Sequence, residues 1–87
     1  MTAEKIALQL ADFYHEPFSG KTLGRYRISM KHLCKMADRK RLFPDEIAAI
    51  FKEAYQLGYV LIDMETYFVV INHKTFANYR RFNDSML

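Results

Sequence analysis

Hydrophobic positions along the chain change period several times, and each change marks a new element. Ala3, Ile6, Ala7, Leu10, Phe13 and Tyr14 recur at helical spacing and predict a helix over residues 2–15. Thr2 is placed to cap it, and Glu4 suits the positive end of the helix dipole. Pro17 and Gly20 break the pattern. Residues 25–28 then alternate, with Tyr26 and Ile28 to one side and Arg25 and Arg27 to the other, as in a short strand. Ser29 is a natural cap for a second helix over about 30–39, whose inner face is Met30, Leu33, Cys34 and Ala37.

Pro44 fits the first position of a third helix, with Asp45 and Glu46 in its first turn. Ile47, Ile50, Phe51, Ala54 and Leu57 form its apolar stripe, and Gly58 is the stop signal. Strands over about 59–63 and 67–71, joined by Met64-Glu65-Thr66, predict a hairpin. Both hairpin strands are apolar on both faces, whereas a sheet with one wet face alternates. The first or last helix is expected to cover the second face; failing that, the face belongs to a partner or a homodimer. In residues 73–82, Phe76, Tyr79 and Phe82 have the spacing of a short final helix.

The expected fold is a single α+β domain over residues 1–87. The order helix, strand, helix, helix, hairpin resembles the winged helix-turn-helix superfamily over residues 2–72, in element order and without a signature motif. The resemblance implies that the second and third helices form the helix-turn-helix, that the short strand joins the hairpin sheet, and that the hairpin is the wing.

Composition agrees with one domain. The chain has 87 residues, 51% of them hydrophobic, and its seven Phe and six Tyr supply large core side chains. A chain of this size buries roughly 60–65% of its unfolded surface, which leaves a thin margin of stability. The single cysteine, Cys34, excludes an internal disulfide, and its inner-face position predicts a buried thiol. No signal peptide and no membrane-length apolar run are visible, so a cytoplasmic protein is expected.

Net charge is only +3, but it is unevenly distributed. Residues 21–41 hold eight bases against Asp38 alone, a net charge of +7, while the rest of the chain has five bases and nine acids. Lys31, Lys35 and Arg39 stand four apart and predict one basic stripe on the second helix. With Arg25 and Arg27 on the strand and Arg39, Lys40 and Arg41 toward the next turn, they make a candidate phosphate-binding face. In the winged-helix resemblance the third helix enters the major groove. Its outward residues here are Asp45, Glu46, Ala49, Lys52, Glu53 and Gln56, and the wing carries Asp63 and Glu65. Those elements would be repelled by DNA.

The expected function is therefore a small non-enzymatic nucleic-acid-binding or regulatory protein. Its anchors are Arg25, Arg27, Lys31, Lys35, Arg39, Lys40 and Arg41, with Tyr79, Arg80 and Arg81 adding contacts and DNA preferred to RNA. The alternative is a protein-interaction module, an adaptor or an inhibitor of the phage or plasmid type. It would meet an acidic partner through the basic face, or use the apolar hairpin or acidic third helix.

Other chemistry finds little support. Gly20-Lys21-Thr22 has the ending of a phosphate-binding loop, but that motif needs a glycine where His15 stands, so an ordinary turn is expected. His15, His32 and His73 have no metal-ligand spacing, and one thiol does not make a zinc set. Asp12 and Glu16 are expected to be a solvated pair, and Ser29 is occupied as a cap. No catalytic group, metal or cofactor is expected.

Overall fold

In the computed structural model, which describes residues 1–21 and 23–87, the chain begins with α1 (Ala3–Tyr14), β1 (Tyr26–Ser29) and α2 (Met30–Met36). It continues with α3 (Pro44–Gln56), β2 (Tyr59–Asp63), β3 (Tyr67–Asn72) and 3₁₀ turns at His73–Phe76 and Asp84–Met86. Each helix starts on the residue that the sequence marks. Thr2 Oγ1 accepts from the Lys5 N–H at 3.2 Å, and Ser29 Oγ accepts from the His32 N–H at 3.1 Å. Pro44 holds the first position of α3, and the Glu46 carboxylate turns back to accept from the Phe43 N–H at 3.1 Å. These contacts satisfy backbone donors that a helix start leaves without intrahelical partners.

The strands form an antiparallel sheet in the order β1-β3-β2. Tyr26, Val70 and Leu61 share one row across it, and Arg27, Val69 and Ile62 the next. The first row faces inward, as does the row of Ile28 and Phe68. Phe68 and Val70 are fully buried there with Leu10 of α1, Leu33 of α2 and Ile50 of α3, and Phe51 meets Phe68 edge to face at 5.8 Å. Burying each such side chain contributes roughly 1.5–3 kcal/mol, so this layer is what holds helices and sheet together. The result is an α+β fold with a winged-helix-like arrangement: among the described residues, three α-helices on a three-stranded antiparallel sheet. No helix among the described residues is long and apolar enough to cross a membrane.

Gly58 joins α3 to the hairpin with φ at +94°, and its carbonyl accepts from the His73 N–H at 3.0 Å. A side chain would be strained at that φ, and its Cβ would stand 3.4 Å from the His73 ring.

Four expectations need correction. The second helix ends at Met36, not 39, because Asp38 turns left-handed at φ +57°. The Arg39 N–H then reaches the Cys34 carbonyl at 2.9 Å, and the Asp38 N–H reaches the Lys35 carbonyl at 3.1 Å. This pair of bonds is a Schellman motif, which closes a helix by satisfying its last carbonyls. Leu57, expected in the stripe of α3, lies past its end and is 43% exposed. Residues 73–82 form no helix beyond the turn at His73–Phe76; Phe76 and Tyr79 pair edge to face at 5.2 Å, and Phe82 is exposed. Finally, α1 and α3 both pack on the inner sheet face, where Tyr14 meets Tyr59 and Phe51 meets Phe68. On the outer face Ile71 is buried, Val60, Tyr67 and Val69 are half-buried, and Ile62 is exposed.

Candidate nucleic-acid interface

The basic residues of the 21–41 segment are all exposed, and the fold divides them into three groups. The first gathers at β1. Among the described residues β1 pairs only with β3, so its other edge is free. Before it, Ser19 and Gly20 both have positive φ, at +54° and +71°, and the Lys21 N–H returns to the Phe18 carbonyl at 3.0 Å. This tight turn is the ordinary reading of the Gly20-Lys21 segment; Thr22 lies outside the described residues. The Gly24 N–H donates to the Tyr14 carbonyl at 2.9 Å and ties the loop to α1.

The chain thereby brings Lys21 to Arg25 and Arg27 around an open depression of about 530 Å³, with Phe18, Tyr26 and Val69 in its walls. Among the described residues no carboxylate lines it. Arg27 projects over the Tyr67 ring, 5.4 Å from its centroid, which fixes the guanidinium on the outer sheet face without neutralising it. Tyr26 is itself anchored: its hydroxyl donates to the Leu10 carbonyl at 2.6 Å. Burial, helped by the neighbouring Tyr59, pushes its ionisation far above the usual tyrosine range.

The second group is Lys31 and Lys35, one turn apart on α2. The third is the α2–α3 turn. Here the expected Lys31-Lys35-Arg39 stripe fails, because the Schellman turn takes Arg39 off the helix. Its guanidinium grips Glu46 with two bonds, at 2.5 and 3.2 Å, in the one ion pair among the described residues. The Phe43 N–H, and then Arg39, hold the Glu46 carboxyl below its usual range. Arg39 is thus a structural clamp between the turn and α3. Lys40 stays exposed, and Arg41 lies 5.8 Å from the Phe43 ring centroid.

The sequence pattern does not place Lys21 among the anchors. Its charge was plain, but its position beside Arg25 depends on the Ser19-Gly20 turn. The signal available is the pair of turn formers Ser19-Gly20. Tyr79, Arg80 and Arg81 lie together in the exposed C-terminal segment, with Phe82 and Met86.

The acidic side is equally well defined. Asp45, Lys52 and Gln56 are exposed on α3, with Glu53 half-exposed, and Asp63 and Glu65 stand at the hairpin tip. The Asp63 carboxylate accepts from the Glu65 N–H at 2.8 Å and rigidifies that tip. The histidines are dispersed: His15 Nε2 lies 2.7 Å from the Tyr59 hydroxyl, His73 packs against Gly58, and His32 is exposed on α2. Among the described residues no three metal-ligating side chains converge. Asp12 and Glu16 are both exposed, and Cys34 is buried. Comparison with protein-family models, curated proteins and solved structures returned no match.

Proposed function

We propose that this chain is a small, non-catalytic nucleic-acid-binding protein that grips phosphates through β1, the loop before it and α2. The observation that carries this reading is the set of exposed cations Lys21, Arg25, Arg27, Lys31 and Lys35, which have no carboxylate partner among the described residues. Lys40 and Arg41 extend the set into the next turn. Cations held on a rigid frame release counterions from a polyanion, and that release drives binding. Arg39 leaves the anchor set because Glu46 already neutralises it. Phosphate anchors position a nucleic acid without reading its sequence, so this face confers little base specificity. The acidic α3 and hairpin tip argue against insertion of α3 into a major groove.

The test is binding of the intact chain to labelled duplex and single-stranded DNA across a salt series. Affinity should fall steeply with salt, with a log–log slope of about −0.9 per phosphate contact on duplex or about −0.7 on single strands. Absence of binding at low salt would overturn the reading.

A second reading, a protein-interaction module, draws on the outer sheet face. Ile62 and Met64 are exposed, and Val60 and Val69, on the same sheet face as Ile62, are half-buried. A concentration-dependent dimer that Ile62→Lys dissociates would favour that use of the face.

A further inference from the structure

We propose that the depression at the free edge of β1 is a subsite for an unpaired nucleotide. Phe18 is the stacking partner for its base, and Lys21, Arg25 and Arg27 anchor the flanking phosphates. This rests on the nucleic-acid reading above and narrows it to single-stranded chains.

Phe18 is an aromatic side chain left 42% exposed at the wall of a cationic depression. It is also held firmly. Its ring stands nearly perpendicular to Tyr26, with centroids 5.4 Å apart, and to Phe13 at 6.5 Å. Tyr26 is itself fixed through Leu10, and the two-residue turn sets Phe18 opposite Lys21. The ring is therefore a preorganised apolar surface, surrounded by positive charge and reached from solvent.

That combination matches one ligand chemistry. A duplex presents phosphates but keeps its base faces stacked inside, where Phe18 cannot reach them. An unpaired strand presents both, and stacking platforms beside cationic tracks are how proteins hold such strands. The volume of about 530 Å³ lies within the range of small-ligand sites. The elements that would have to enter a groove of a duplex are the acidic ones. Stacking tolerates any base and the phosphate contacts ignore the sugar, so the subsite should accept DNA and RNA strands alike.

The experiment measures binding of the intact chain to labelled oligothymidylate, oligouridylate and a DNA duplex of equal length, each over a salt series. Both single strands should bind more tightly than the duplex. Phe18→Leu keeps an apolar side chain but removes the aromatic face. It should weaken single-strand binding roughly tenfold, with salt slope and duplex affinity unchanged. Phe18→Tyr should restore it. Circular dichroism checks that both variants fold. Single-strand affinity unaltered by Phe18→Leu, or a duplex bound as tightly as the single strands, overturns the subsite while leaving salt-dependent phosphate binding intact. No binding of any probe at low salt overturns both the subsite and the reading beneath it.

Discussion

Two stretches of the chain carry opposite charge and handle it differently. Residues 21–41 hold eight bases and one acid; residues 44–72, which span α3 and the hairpin, hold five acids and one base, Lys52. On the acidic side, charge is tied into the local fold. Glu46 holds the start of α3 through Phe43 and pairs with Arg39, and Asp63 braces the hairpin tip. On the basic side, Lys21, Arg25, Lys31, Lys35 and Lys40 have no side-chain partner among the described residues, and Arg27 and Arg41 meet only aromatic rings. Acids near helix starts and turns contribute to folding, as their backbone bonds show. Unpaired cations on a surface contribute little to it, and so stay available for a ligand. The order of α2 and α3 resembles that of a winged helix, yet exposed unpaired cations lie on β1, the loop before it and α2, and exposed acids on α3 and the hairpin tip.

The sharpest way to break this comparison is to reverse charge on each side in turn. Arg25→Glu with Arg27→Glu should cut nucleic-acid affinity by about tenfold or more at moderate salt, with the melting temperature nearly unchanged. Lys52→Glu on α3 should leave affinity within about twofold. An equal loss from Lys52→Glu would return α3 to the binding surface.

The next largest effect is on stability. Gly58→Ala places a side chain at φ +94° and should destabilise the fold by about 1 kcal/mol or more, read from urea unfolding. Because Gly58 belongs to the acidic side, the salt slope of binding should not move.

The smallest effect concerns the clamp between the two sides. Glu46 has a depressed ionisation in the folded chain. Its contribution to stability is therefore present above the ordinary glutamate range, about 4.3, and is lost as pH falls through its lower folded value. Glu46→Gln should flatten the acid limb of a stability-against-pH curve. It should also release Arg39 to the phosphate surface and steepen the salt slope by up to about one contact's worth, about 0.7–0.9. An unchanged slope would mean that Arg39 points away from the bound strand even when free.

Sequence alone determined the elements whose signals are local. Thr2, Ser29, Pro44 and Gly58 mark helix ends through backbone chemistry that acts within a few residues, and the apolar periods of α1, α3 and the hairpin follow from which face is buried. The charge imbalance was equally legible, since it needs only counting. Tertiary structure decided how those charges combine. A left-handed Asp38 ended α2 a turn early, and no local rule required a non-glycine residue to adopt that conformation. The shortened helix sent Arg39 to Glu46 and removed it from the basic stripe. The Ser19-Gly20 turn and the edge position of β1 brought Lys21 and Phe18 beside Arg25 and Arg27, and the placement of α1 and α3 on one sheet face left the other partly open. Capping and periodicity are short-range effects written into neighbouring residues, whereas a binding surface is set by which elements pack together, and that is fixed only when the core closes.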